Sequence, residues 1–431
     1  MTHLQHTQTQ PAGTRDRHSR RGFLGSMAGS SLGATLGLGS APAGLAAGGF
    51  FAHGAERIRV GLIGCGGRGT GAALQAAAAD PAVRIVALGD AFPDQVASSA
   101  HVLARDAAGQ FACPPEQRFV GERAYLDVLE AGVDVVLLAA PPHVRPLHVT
   151  AAVRAGKHLF CEKPAAIDLP GAHEVAAACA AARRQKLAVV SGLCLRRDES
   201  TCGLIGTIRD GAVGQLLQIH AHAALGLPWQ KPIEPGWTAA EWRQRNWISF
   251  GRFSGGAFVE HHIHAIDRGL WALGDACPVA AVAAQPPRLF SDHRSGRHAG
   301  WAIGDCHDVV AVRYTFADGS EMHASCGRGV GLTKVADTVA GTLGRCDLHA
   351  SPGSARLPAV SMYQSTMNAL VQSVRSGIPV DDGTALCHST LVAIMGRMAA
   401  AAGRPIHWNE IVRRSLPVFP APTIGSGLIE G

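Results

Sequence analysis

The chain has 431 residues, 47% of them apolar and 17% charged, a balance that suits a folded globular protein with room for two domains. Its formal net charge is +6, but Arg15, Arg17, Arg20 and Arg21 face only Asp16, so the rest is closer to neutral and makes no electrostatic case for nucleic acid. Eleven cysteines lie scattered with no C-x-x-C and no zinc-type spacing, which argues against a disulfide framework and predicts mostly small buried hydrophobes.

The first element is Ser19-Arg20-Arg21-Gly22-Phe23-Leu24, followed over 23–47 by an apolar run diluted with Gly and Ser. A twin arginine before such a run resembles a Tat export signal, with Ala41-Pro42-Ala43 or Leu45-Ala46-Ala47 as cleavage sites. Residues 1–55 are therefore expected to be signal and linker, with the Tat machinery as a partner and the periplasm as destination. A disordered basic tail and an uncleaved anchor are the alternatives. Phe50 and Phe51 of the linker, if retained after cleavage, are candidates to fold over a bound ligand or a neighbouring subunit.

Strands then alternate with helices. Residues 57–63, 84–88, 133–138, 158–161 and 187–190 read as strands, and 70–79, 146–155 and 170–184 as helices. This predicts an α/β fold, a Rossmann doubly wound parallel sheet over 56–190. After about residue 200 the pattern changes. Residues 216–222 alternate like a half-exposed strand, and 309–316 and 321–325 flank the turn Ala317-Asp318-Gly319-Ser320 as a hairpin. A second α+β domain with a large, mostly antiparallel open sheet is expected over 191–415, with helices at 363–376 and 384–402 and a tail at 416–431.

Gly64-Cys65-Gly66-Gly67-Arg68-Gly69 ends the first strand and opens a helix, and Asp90 closes the next strand 21 residues after Gly69. In that context G-x-G-x-x-G predicts a dinucleotide site. Gly64 allows the tight turn, Gly66 lets backbone N–H groups approach the diphosphate, and Gly69 packs helix on sheet. An Asp90 carboxylate would accept from the ribose hydroxyls and repel a 2′-phosphate, favouring NAD over NADP.

Cys161-Glu162-Lys163-Pro164 follows an apolar strand, at the carboxyl edge where open α/β sheets place ligands. Lys163 there reads either as a group that polarises a substrate hydroxyl or as a loop lysine. Within Ser254-Gly255-Gly256 through Asp267, a continuous helix would set Glu260, His264 and Asp267 on one face. A carboxylate beside an imidazole raises its basicity, as moving a hydroxyl proton requires. Zinc binding and a purely structural histidine remain alternatives, although His261 and His262 would fall on other faces. Trp229, Trp237, Trp242 and Trp247 form a tryptophan-rich segment suited to the apolar faces of sugar rings or to core packing.

Over roughly 57–415 the chain resembles the Gfo/Idh/MocA oxidoreductases. The resemblance rests on the glycine loop, on Ala155-Gly156-Lys157-His158-Leu159-Phe160-Cys161-Glu162-Lys163-Pro164, and on the Glu260–His264–Asp267 block. It looks closest to an exported branch. The resemblance implies NAD(P)-dependent hydride transfer at a sugar, glycoside or cyclitol carbon, in a homodimer or homotetramer. It makes Lys163 the motif lysine, His264 the proton-transferring histidine and Glu260 its carboxylate. It adds Arg68, Pro141, His143, Glu162 and Arg197 to the cofactor contacts, Trp229, Trp247 and Asp267 to the substrate contacts, and no metal. The chain departs from the pattern at Ala140-Pro141, where Thr-Pro is usual, and at Arg145, where His is frequent. A glycoside hydrolase or lyase with recycled NAD is the second reading, and a non-catalytic sugar-binding protein the third. The intact Glu162-Lys163-Pro164 favours net redox chemistry.

Overall fold

The computed structural model describes residues 57–288, 304, 309–328, 334–349 and 360–412. The chain divides into two units, Met1–Phe50 and Phe51–Gly431, and every described residue lies in the second. The signal, its cleavage sites, Phe50 and Phe51 and the tail at 416–431 lie outside the described residues.

Six parallel strands form the first sheet: β1 (Ile58–Ile63), β2 (Val83–Asp90), β3 (Arg118–Val120), β4 (Val135–Leu138), β5 (His158–Cys161) and β6 (Val189–Ser191). Their order is β3-β2-β1-β4-β5-β6, the doubly wound arrangement in which β1 and β4 meet where the winding reverses. Helices cover both faces, so β4 and β5 are buried at every residue and could be read from their unbroken apolar character.

The second sheet has seven strands: β7 (Leu216–Leu225), β8 (Ala280–Arg288), β9 (Val309–Thr315), β10 (Glu321–Arg328), β11 (Lys334–Gly341), β12 (Arg345–Asp347) and β13 (Ile406–His407). The order is β12-β11-β7-β10-β9-β8-β13, antiparallel throughout except where β7 and β10 run parallel. The β9–β10 hairpin turns through the expected Ala317–Ser320. Burial alternates along β10, with Met322, Ala324 and Cys326 inward and Glu321, His323 and Ser325 on the open face.

Two C-terminal helices tie the sheets together. Met362–Ser376 sends Met367, Leu370, Val371 and Val374 back into the core of the first sheet, which the residue order alone does not suggest. Gly383–Ala402 is long and apolar enough to span a membrane by composition, but most of it is buried. Its Leu386 and Cys387 pack with the first sheet and its Leu391–Met395 with the second, so it is a core helix shared by both. The ten described cysteines are free thiols, and eight of them are buried, as small buried hydrophobes were expected to be.

One local expectation fails. The segment after Gly255-Gly256 is not one helix. A single turn, Ala257–Glu260, is followed by a break at His261-His262 and then a helix from Ile263 to Ala272. His262 N donates back to Ala257 O, five residues earlier, which turns the chain between the two pieces. The one-face spacing of Glu260, His264 and Asp267 is lost there.

Candidate active site

The glycine loop joins β1 to the helix Gly67–Ala79. Gly64 has φ of +97°, and a Cβ there would run into the backbone of Ala139 and Ala140 beside β4. A Cβ on Gly69 would run into Gly64 O, so this glycine sets how closely helix and strand approach. Gly66 and Gly67 differ. A Cβ on Gly67 would meet nothing within 4 Å, and the helix has no side-chain cap and no acidic residue in its first turn. Unclaimed first-turn N–H groups under open space fit the diphosphate of a dinucleotide. Arg68 lies beside that space. Its Nε donates to Glu162 Oε1 at 2.6 Å, its guanidinium lies over the Tyr363 ring at 4.8 Å, and its Nη2 is buried with no hydrogen-bond partner.

Asp90 ends β2 next to the loop. Its carboxylate accepts from Cys65 N at 2.7 Å and Phe92 N at 3.0 Å. Burial raises its pKa, while those two amides act to lower it. It therefore helps shape the loop.

The Lys163–Pro164 peptide after β5 is cis. Lys163 Nζ donates to Glu260 Oε1 at 2.7 Å and to Glu260 O at 2.5 Å. An ammonium has three donors, so one remains for a substrate oxygen. Glu260 is 6% exposed. Burial pushes its carboxyl up, but the charges of Lys163 and His261 outweigh that and hold it well below the usual range.

The imidazole within ion-pair distance of Glu260 is His261, not His264, although Arg328 donates to His261 Nδ1 and Glu260 Oε2 has no hydrogen-bond partner among the described residues. His261 Nδ1 lies 2.5 Å from Glu260 Oε2 and 2.6 Å from Arg328 Nη2. Sequence spacing favoured His264, and the break at His261-His262 is what redirected the pairing. His264 is half-buried, with Nδ1 lacking a hydrogen-bond partner. Burial, joined by the Lys163 charge, lowers its pKa to about 3, so it is neutral near pH 7. Arg328, 4% exposed at the end of β10, had no sequence signal, because only the second sheet's register brings it here.

The other expected site residues divide. His143 follows β4 and lies against Phe253 at 4.9 Å, with burial lowering its pKa to about 4. Pro141 lies in the same half-buried turn. Arg145 is buried and donates to Ala140 O at 2.6 Å and to Pro164 O, so it ties this turn to the Lys163 loop. Arg197 Nη2 donates to both oxygens of Asp382 at 2.9 Å. Asp267 is 1% exposed and engages Arg196 and Ser389 Oγ, at 2.9 and 2.7 Å, so it braces the fold behind the site instead of facing substrate. Trp229 is 46% exposed and meets Trp247 edge-on at 6.3 Å. Trp242 is tied by Nε1 to Lys231 O, and Trp237 stacks on Arg245, so those two serve the segment's own structure. No metal-binding group of three or more His, Cys, Asp or Glu occurs among the described residues.

Fold and site together define a two-domain dinucleotide-binding architecture with a lysine–carboxylate pair at the sheet edge. Residues 58–191 match the model of the Gfo/Idh/MocA oxidoreductase family, NAD-binding Rossmann fold. The chain is 24% identical over 281 residues to a 1,5-anhydro-D-fructose reductase of Ensifer adhaerens, covering 63% of this chain and 79% of that one. It is 30% identical over 243 residues to inositol 2-dehydrogenase 4 of Saccharopolyspora erythraea, covering 56% of this chain and 61% of that one. The fold matches scyllo-inositol dehydrogenase of Lactobacillus casei, solved with NAD(H) and scyllo-inositol, at TM-score 0.61 and 17% identity over 81% of this chain and 99% of that one.

Proposed function

We propose that this protein is an NAD-dependent dehydrogenase acting on a hydroxyl of a cyclitol, sugar or glycoside. The observation that carries this reading is the Lys163–Glu260 pair, 2.7 Å apart and joined through Glu162 and Arg68 to the glycine loop. Bound NAD supplies the hydride acceptor. The chain supplies the rest. Lys163 Nζ directs its remaining donor to the reacting oxygen, while Glu260 keeps that ammonium in place. His264, the histidine the resemblance makes the proton acceptor, is neutral near pH 7, although burial and the Lys163 charge make it a weak base. Trp229 and Trp247 offer ring faces to the apolar side of the substrate.

Asp90 supports NAD over NADP, because its carboxylate repels a 2′-phosphate. The twin-arginine segment supports export through the Tat machinery to the periplasm, where the cofactor must stay bound for lack of a free pool. The open face of the second sheet, with Gln218, His220 and His323 on it, supports a homodimer or homotetramer. Glycoside cleavage with recycled NAD is the less favoured reading, since Glu162-Lys163-Pro164 is intact.

The test begins with mass spectrometry of protein purified from a periplasmic extract, where bound NAD is expected. Adding cyclitols and aldoses should then generate the reduced nicotinamide band. Release of phenol from aryl glycosides without that band would replace this reading with the lytic one. A protein that neither carries nor binds NAD would end both.

A further inference from the structure

Between β7 and the Gly255-Gly256 turn the chain leaves the second sheet and returns to the first domain. This stretch is internally fastened. Thr238 caps the helix Ala239–Arg245, its Oγ1 accepting from Glu241 N at 3.1 Å. Asn246, 0% exposed, accepts from Lys231 N at 2.7 Å and donates to Lys231 O at 3.1 Å.

At the end of that helix Arg245 reaches the other domain. Its Nη1 and Nη2 donate to the two oxygens of Asp94 at 3.0 and 2.8 Å, and its Nε to Glu241 Oε1 at 2.9 Å. The guanidinium lies between the rings of Phe92 at 3.9 Å and Trp237 at 4.3 Å from the centroids. Its side chain is 5% exposed and that of Asp94 53% exposed, so the pair is covered on the arginine side and open to water on the carboxylate side. Asp94 sits in the first turn of the helix Pro93–Asp106, four residues beyond Asp90. Phe253, at the other end of the stretch, packs on His143 beyond β4.

These anchors have a topological meaning. β2 and β4 are the two neighbours of β1, and the glycine loop leaves the carboxyl end of β1 between them. A segment fastened beyond β2 and again beyond β4 therefore has its two anchors on either side of the loop. Resting on the NAD reading above, we propose that residues 226–256 form a latch over the adenosine end of the cofactor site. Arg245 with Asp94 is its fastening, so dinucleotide leaves only when that pair opens. Arg245 is here a positioning residue that controls residence time.

The test loads the purified protein with NADH, mixes it with excess NAD and follows the loss of bound-NADH fluorescence. Arg245→Ala and Asp94→Ala should each speed dissociation at least tenfold, with circular dichroism unchanged. The double variant should be no faster than the faster single one, because both changes open the same pair. If Arg245→Ala fails to fold, Asp94→Ala, which leaves the segment intact, carries the test alone. Unchanged rates, or effects that multiply in the double variant, overturn the latch while leaving the NAD reading standing. Wild-type protein that binds no NADH overturns both.

Discussion

On the proposed reading, the phosphate end of the site works through backbone amides, and what matters there is the space left by absent side chains. At the reacting end the working groups are charged side chains from distant parts of the chain. Gly66 and Gly67 leave helix N–H groups uncovered. Lys163, Glu260, His261 and Arg328 instead come from a strand-end loop, an interrupted helix and the second sheet, and hold one another at 2.5–2.7 Å. The contrast teaches that binding and chemistry fail in different ways. The phosphate end is damaged by adding atoms and the reacting end by removing them.

The largest effect is expected from Lys163→Ala. It should lower kcat by two to four orders of magnitude, roughly the worth of a positioned acid–base group, while the NAD dissociation constant moves little. Equal losses in binding and turnover would erase the distinction between the ends. Gly67→Asp should do the reverse. Its Cβ enters open space, so the melting temperature should hold, but a carboxylate at the helix N-terminus should weaken NAD about a hundredfold, near 2.7 kcal/mol. Calorimetric titration giving wild-type affinity would place the diphosphate elsewhere.

Asp90→Ser should have a smaller effect, narrowing the preference for NAD over NADP by about tenfold. The ratio of kcat/KM for the two cofactors reads it, and an unchanged ratio would confine Asp90 to its bonds with Cys65 and Phe92. Asp267→Asn should barely change KM for substrate and should act through stability, because its partners are Arg196 and Ser389. A large KM shift without loss of melting temperature would return Asp267 to the substrate site.

Acidification tests the fold beneath both ends. Burial lowers the pKa of His148, His262 and His388 to about 4, below the unfolded value of 6.5. Between those values the unfolded chain binds protons that the folded chain does not, so stability is lost as the pH falls. The slope is at most about 1.4 kcal/mol per pH unit for each histidine. Urea midpoints should therefore drop steeply from pH 6.5 towards 4. A flat profile would mean these rings are protonated in the fold.

The sequence by itself determined the local features. Runs of apolar residues marked β4 and β5, because strands covered on both faces need them, and the turn Ala317–Ser320 marked the hairpin. The glycine loop, Asp90 and the Lys163 loop were legible because their geometry depends on residues adjacent in the chain. Short elements such as β3 and β12, three residues each, gave no pattern long enough to read. Tertiary structure alone decided which imidazole meets Glu260, since a break of two residues overrode the helical spacing. It alone brought Arg328 to His261, moved Asp267 behind the site, and carried Arg245 across to Asp94. Each of these contacts is fixed by packing between segments far apart in the chain, and no local spacing encodes it.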